Sequence, residues 1–414
     1  MSKKILHLAP YFWPEEIGSA PYCTELAVWL EEQGHHVSVL AFRPHYPKIE
    51  GFDAWSDGSR DEEKLGRIKV SRVPVTERGS GGLKQRLVND LRFLLAALSR
   101  AIRGSFHGTD IVVAYTPTIL TLFGAMLVRA VTGCRVVAIV HDIESGLARF
   151  LGLVSNKAFL SLITFFEKVA LNSADQVIVL SEGMRSELER IGCRRPISVI
   201  SLWAPEFPDA PVAKQAPPLL MYSGNFGKKQ NLEQLLPLIK RLSIEQPSIR
   251  VVMQGDGSER NKIEELFSTA GITNTAFLPV APASEFFSSL QAASVHLVPQ
   301  ALNVANYALP SKIFSIMSVG RPFVCIAEKD SPLDRLAQLS GAGVCVAPGD
   351  EDQLFRTIIA LIQNADEIEV RGRKGREFVK SFMNKLTIMK RYHSILLEGG
   401  IENESPARFV DEIT

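Results

Sequence analysis

The 414-residue sequence is poor in several features that would declare a function outright. It has five cysteines, Cys23, Cys134, Cys193, Cys325 and Cys345, without metal-ligand spacing. Cys134, Cys325 and Cys345 lie in or beside apolar, strand-like runs, which is how reduced core thiols of a cytosolic protein are distributed. No charge of one sign is in excess. Lys+Arg total 46 against Asp+Glu 45, so no global field favours a nucleic-acid groove or a wholly membrane-adhesive surface. Long apolar runs are lacking too: "ILTLFGAMLVRAVTG" is broken by Arg129 and "AFLSLITFFEKVAL" by Glu167 and Lys168. Neither supplies the ~18–20 uninterrupted apolar residues of a spanning helix. The opening "MSKKILHLAPYF" stops being apolar at Pro10 and has no small-residue cleavage site, so it reads as a strand and not as a signal peptide. There is no G-x-G-x-x-G, which disfavours a dinucleotide-dependent oxidoreductase. These absences leave a soluble, cytoplasmic globular protein of about two domains.

What is present is alternation. Short β-branched runs ("KKILHLAP", "HHVSVLAF", "RIKVSRVPV", "DIVVAYTP", "CRVVAIVHD", "DQVIVLS", "PISVISL") are separated by longer amphipathic stretches. Near-continuous apolar strands between helices predict a parallel sheet covered on both faces. The pattern halts at residues 204–218, "APEFPDAPVAKQAPP", whose five prolines can continue neither helix nor central strand. A second series follows: "PLLMYSGNFG", "IRVVMQGDG", "TAFLPV", "SVHLVPQ", "RPFVCIAE" and "GVCVAP". The expected organisation is a first domain at 1–203, a linker at 204–218, a second domain at 219–385, and a helical tail at 386–414 packing back on the first domain. In an α/β fold of two doubly wound, Rossmann-like domains, ligands bind beyond the carboxyl ends of the strands, so a shared site would lie in the cleft between them.

Several turns carry chemistry. After the first strand, Gly18 precedes a helix that Ser19 is placed to cap and Gly34 to end. That turn admits two readings, an anion site at a helix N-terminus or a merely flexible connection. His141 and Asp142 end the strand "CRVVAIVHD", where a proton-transferring pair or a simple loop cap would both fit. "YSGNFGKKQNLE" combines Gly224 and Gly227 with two lysines before a helix near Asn231, a combination suited to a diphosphate. Gly255, Asp256 and Gly257, with Ser258 as the expected cap, offer a place for a flat ring or a ribose. Residues 82–104 set Lys84, Arg86, Arg92, Arg100 and Arg103 among leucines and Phe93. This is either a helix lying on an anionic inner-membrane surface or the core face of a sheet-covering helix. Asp350-Glu351-Asp352 spells D-x-D, but its position after "VAPG" at a helix start suits capping and not a metal.

The order of these turns, together with "LPSKIF" and "SVGRP", resembles retaining GT-B glycosyltransferases of family four, of the WcaI-like, colanic-acid type. The resemblance spans nearly the whole chain, and the "YSGN" and "PSK" turns are its specific parts. It implies the GT-B fold and transfer of a sugar from a nucleotide-diphosphate donor to a glycan, lipid-linked through a polyprenyl carrier, in exopolysaccharide or O-antigen synthesis. Carried over by position, Lys229 and Lys312 contact the donor diphosphate, with Gly224, Asn225 and Ser311 shaping that pocket. Gly18 faces the leaving diphosphate, and His141 with Asp142 face the transferred sugar. Gly255 to Gly257 lie near the nucleoside, and base choice depends on the backbone around Gly255 and Val280. No cofactor beyond the donor is implied, and no nucleic acid. Two departures stand out: Asn225 takes the place of a common arginine, and Tyr307 and Ser315 take the places of a common glutamate pair. Two other readings share the architecture, a nucleotide-sugar 2-epimerase and a non-catalytic nucleotide-binding subunit.

Overall fold

In a computed structural model of the chain, the described residues are 2–16, 18–45, 52–76, 82–116, 118–146, 157–208, 217–304, 307 and 310–398. The chain forms two compact units. One comprises residues 1–200 together with residues 389–398, and the other runs from Ser201 to Ile388. The start of the proline-rich segment is packed and not free: Trp203 and Ala204 are buried, and the Ala204 N–H donates to Met383 O at 2.9 Å. Residues 209–216 of that segment lie outside the described residues.

The first unit contains β1 (Lys4–Leu8), β2 (His36–Phe42), β3 (Glu62–Leu65), β4 (Ile68–Val73), β5 (Ile111–Tyr115), β6 (Arg135–Val140), β7 (Gln176–Val179) and β8 (Ile197–Val199). They lie in the order β3-β4-β2-β1-β5-β6-β7-β8. All neighbours are parallel except the pair β3–β4, whose partners run from Glu62↔Ser71 to Leu65↔Ile68. Every residue of β5, "IVVAY", is buried, the pattern of a strand covered on both faces. The edge strand β3, "EEKL", is charged and half exposed, so no apolar run announces it.

Helices α1 (Ala20–Glu32), α2 (Gly82–Ile102) and α3 (Ile119–Thr132), and those at Lys157–Ser173 and Glu182–Arg190, cover this sheet. Right-handed crossovers put α1 on one face and α2, α3 and Lys157–Ser173 on the other. The Lys385–Glu398 helix joins the α1 face, where the His393 and His35 rings share a hydrogen bond at 3.2 Å and Trp29 meets His393 edge-on at 5.4 Å. Arg135 Nη1 donates to Leu396 O at 3.2 Å on the same element. Ser19 occupies the N-cap position of α1, but its helical backbone angles turn its hydroxyl away from any capping bond.

The second unit has β9 (Leu219–Ser223), β10 (Arg250–Gln254), β11 (Thr275–Leu278), β12 (Val295–Pro299), β13 (Phe323–Ile326) and β14 (Gly343–Val346), all parallel in the order β11-β10-β9-β12-β13-β14. Leu220, Tyr222 and Phe226 pack with Leu238, Ile239 and Leu242 of the Leu236–Glu245 helix to form its core. The strand order reverses between β9 and β12, and in such sheets the crevice for a ligand opens at the carboxyl ends of the strands flanking that point. The corresponding reversal in the first unit lies between β1 and β5.

Candidate functional site

At the carboxyl ends of β9 and β10 two glycine turns interlock. Gly224 N–H donates to Gln254 O at 2.9 Å, Phe226 N–H to Asp256 O at 2.8 Å, and Glu259 N–H to Phe226 O at 2.9 Å. The contact admits no side chain. A Cβ on Gly255 would stand 1.8 Å from Gly224 O, and one on Gly257 would stand 2.5 Å from Asn225 Oδ1. Both glycines also have φ values, +139° and +153°, that other residues rarely adopt. Gly255 N–H donates onward to Leu278 O at 3.1 Å, which ties in the β11 end where half-buried Val280 follows. Ser258 is not a cap: the Arg260–Thr269 helix has Glu259 at its N-cap and no side-chain capping bond.

Lys312, the first residue of the Lys312–Ser318 helix, closes this group of turns. Its Nζ lies 3.9 Å from the centroid of the Tyr222 ring and 3.3 Å from where a Cβ on Gly224 would be. Tyr222 is itself fixed, its hydroxyl donating to Asn225 O at 2.5 Å. The ammonium is enclosed and has no hydrogen-bond partner among the described residues. Loss of hydration pushes its pKa down from 10.5 to about 7. A cation–π contact offsets only part of the cost of burying a charge, so this site is short of an anion. Ser311 precedes it at the N-cap position without a side-chain capping bond, and half-buried Ser315 lies one turn further on. Lys229 is tethered through its carbonyl, which accepts the Ala301 N–H at 2.9 Å beyond the end of β12. The structure thus brings Gly224, Asn225, Gly255, Asp256, Gly257 and Lys312 together on one end of the sheet at its reversal point. Tyr307 is half-buried, with its N–H donating to Val304 O at 2.9 Å.

In the first unit, His141 and Asp142 follow β6 directly. Thr116, at the end of neighbouring β5, clamps them: its Oγ1 accepts the His141 N–H at 3.0 Å and donates to Asp142 O at 3.1 Å. The His141 ring is met edge-on by Tyr115 at 6.0 Å and by Tyr22 at 6.4 Å. Burial lowers its pKa from 6.5 to about 4, partly opposed by the Asp142 carboxylate, so the ring is neutral near pH 7. A neutral imidazole accepts a proton or a hydroxyl hydrogen bond. Gly18, exposed with φ +67°, precedes the α1 turn that carries Tyr22, so it lies at the same end of the sheet.

Sequence reasoning missed the residues that hold this turn. Buried Glu167 accepts the N–H groups of Glu144 at 2.9 Å and Ser145 at 3.3 Å and also the Ser145 hydroxyl. Its pKa is pushed up to about 7 by burial. Glu144 accepts the Ile119 N–H at 3.0 Å and pairs with Arg86 at 3.1 Å. The available signal was a lone carboxylate inside "ITFFEKVAL". The D-x-D run is accounted for by folding: Asp350 accepts the Gln353 N–H at 3.0 Å as N-cap of the Glu351–Gln363 helix, and Asp352 pairs with Arg241 at 2.7 Å.

Residues 18–203 match the family described as "Glycosyl transferase 4-like domain", and residues 204–378 match "Glycosyl transferases group 1". The chain is a GT-B glycosyltransferase of family four, WcaI-like. This glycosyltransferase is 26% identical over 410 residues, 94% of its own length and 98% of the other's, to WcaI of Escherichia coli (strain K12), described as a colanic acid biosynthesis glycosyl transferase. Its fold is similar to that of sucrose-phosphate synthase from Thermosynechococcus elongatus, with TM-score 0.75 and 17% identity over 95% of this chain and 98% of that one. It is also similar to Anabaena HepE, solved in complex with UDP-glucose, with TM-score 0.68 and 15% identity over 95% and 99% of the two chains. Among the described residues, no helix of the glycosyltransferase is long and apolar enough to cross a membrane.

Proposed function

We propose that this glycosyltransferase takes a sugar from a nucleoside-diphosphate donor and transfers it, with retention of anomeric configuration, to a lipid-linked glycan in exopolysaccharide or O-antigen synthesis. The observation that carries the donor assignment is the enclosed Lys312 ammonium over Tyr222, without a hydrogen-bond partner among the described residues and beside glycine turns whose backbone a phosphate can approach. In transfer, the bond from the anomeric carbon to the β-phosphate oxygen breaks and its electron pair stays on the diphosphate. The acceptor hydroxyl oxygen forms the new bond, and its proton passes to the departing phosphate oxygen. Lys312, with Lys229, neutralises the charge that grows on that phosphate, which is electrostatic stabilisation of the transition state without a catalytic metal. Gly224, Asn225 and Ser311 shape the diphosphate pocket, Gly255 to Gly257 and Val280 flank the nucleoside, and Gly18 admits the phosphate end of the donor. His141 and Asp142 orient the transferred sugar. The likeness to the WcaI chain and to a fold solved with UDP-glucose supports the substrate class.

The test pairs a thermal-shift screen of UDP, GDP, ADP and dTDP with a transfer assay. The assay uses donor sugars of the winning base and a polyprenyl-diphosphate-linked glycan pool, with the product anomer read by NMR. Retained configuration in a new glycoside is expected. Epimerisation of the donor without acceptor would assign the chain to the 2-epimerase reading. Nucleotide binding with no turnover, restored by a partner protein, would assign it to the non-catalytic one.

A further inference from the structure

The Lys385–Glu398 helix is fastened to the first unit by a bond between two imidazoles. His35, between α1 and β2, and His393 share a hydrogen bond between their Nε2 atoms at 3.2 Å, with ring centroids 5.4 Å apart. Two such nitrogens bond only if one donates and the other accepts. A neighbouring contact decides which: the Lys3 N–H donates to His35 Nδ1 at 3.2 Å, so that nitrogen carries no proton. His35 therefore holds its proton on Nε2 and donates it, while His393 accepts on Nε2 and holds its own proton on Nδ1. Both rings are neutral.

This arrangement leaves no place for a further proton. On His393 it would go to Nε2, and on His35 to Nδ1, setting an N–H against the N–H of His35 in the first case and of Lys3 in the second. Either way one hydrogen bond is lost and two donors face each other. The surroundings act in the same direction. His35 is buried, and burial, His393, the amino terminus and His36 all lower its pKa from 6.5. Burial lowers that of His393 as well, opposed by Glu398, which also accepts the Ser394 hydroxyl at 2.9 Å. Charges on the adjoining elements are engaged elsewhere, Lys3 with Asp110 at 3.8 Å and Glu31 of α1 with Arg67. The other ties of the helix do not titrate in this range: Arg391 Nη2 donates to Val199 O and Arg135 Nη1 to Leu396 O, each at 3.2 Å.

We propose that the His35–His393 bond is a proton-operated latch, which holds residues 389–398 of the helix on α1 while both rings are neutral and loosens them when either ring takes up a proton. Because the loosened state binds the proton more tightly, docking is at full strength above about pH 6.5 and weakens as pH falls below it. The release bears on the site. Tyr392, beside His393, is fully buried and lies within electrostatic reach of Cys23 and Tyr22 of α1, and the Tyr22 ring meets that of His141 at 6.4 Å. The latch is independent of which sugar or base the chain uses.

The test follows hydrogen exchange of the full chain by mass spectrometry at about pH 7.5 and about pH 5, corrected for the intrinsic pH dependence of exchange, in wild type and in His35→Gln/His393→Gln. In wild type the protection of residues 389–397 should fall at least about tenfold at the lower pH, while β5 keeps its own. In the double variant that segment should be equally protected at both values. NMR of wild type labelled at histidine Cε1 gives a readout that does not depend on how the variant folds: the His35 and His393 signals should titrate below pH 6.5. Unchanged protection in wild type, an equal fall in the double variant, or either ring titrating at or above that value would overturn the proposal.

Discussion

Replacing Lys312 by methionine should make this glycosyltransferase more stable and, on the proposed function, a weaker binder of nucleoside diphosphates. The ammonium's pKa falls from 10.5 to about 7 because burial strips its water. That difference corresponds to about 5 kcal/mol opposing the charged form, as an upper bound. For a lysine whose folded pKa lies below its unfolded one, the unfolded chain holds the proton more tightly between about pH 7 and 10.5. The penalty is therefore full below about pH 7 and fades as pH rises through that window. Methionine keeps the volume without the charge, so the nucleotide-free variant should melt several degrees higher at neutral pH, and that gain should shrink toward pH 10. Binding should move the other way. A diphosphate pairs with the protonated form, so wild-type affinity should drop roughly fiftyfold from pH 7 to pH 9, with about one proton taken up per site at the upper end. In the methionine variant affinity should be roughly 30- to 100-fold weaker at pH 7, without the lysine-linked proton uptake. Calorimetry with the best binder among UDP, GDP, ADP and dTDP, in buffers of different ionisation enthalpy, reads affinity and proton uptake together. Equal affinities in the two proteins, or a wild-type affinity flat across that range, would refute the assignment of Lys312 to the phosphate.

Four further outcomes follow from the geometry. In Glu167→Ala the Glu144 and Ser145 donors lose their acceptor, so stability should fall by about 2–3 kcal/mol in denaturant melts, with turnover falling as the His141 turn loosens. Because the Glu167 pKa is raised from 4.5 to about 7, its neutral form stabilises the fold below that range. Wild type should lose roughly 2–3 kcal/mol relative to Glu167→Gln as pH climbs from 4.5 to 7; parallel melting curves for the two proteins would contradict this. Gly255→Ala drives a Cβ into Gly224 O and should cost about 3 kcal/mol or more, with nucleotide binding lost in the thermal-shift screen. Asp350→Ala should remove only a helix cap worth about 1 kcal/mol, leaving turnover unchanged and insensitive to EDTA; a metal role would instead abolish turnover.

The parallel strands were legible because each carries its signal locally. A strand covered on both faces must be apolar throughout, and "IVVAY" and "RVVAIV" can hardly be read otherwise. Strand β3 was illegible for the complementary reason, since an edge strand keeps its charges in water and "EEKL" has no apolar period. Helix α2 was legible as an amphipathic helix but not in its orientation. Leucines are spread around much of its circumference, and the side that is buried carries the small residues Ala97, which lies against Gly124, and Ala101. The glycine turns could be located from spacing, but not their interlock, because Gly224 and Gly255 meet only when β9 and β10 pair.

The order of strands, helices and turns, and the residues available at each strand end, belong to the sequence itself, because they depend on short-range periodicity and on what glycine and proline permit. The electrostatics belong to the tertiary structure. Lys312 is an ordinary exposed-looking lysine until the fold presses it onto Tyr222, 90 positions earlier in the chain, and leaves its ammonium without a hydrogen-bond partner among the described residues. Glu167 is a break in an apolar run until packing sets it against the backbone of Glu144 and Ser145. Desolvation and pairing are properties of surroundings, and only the folded chain supplies those.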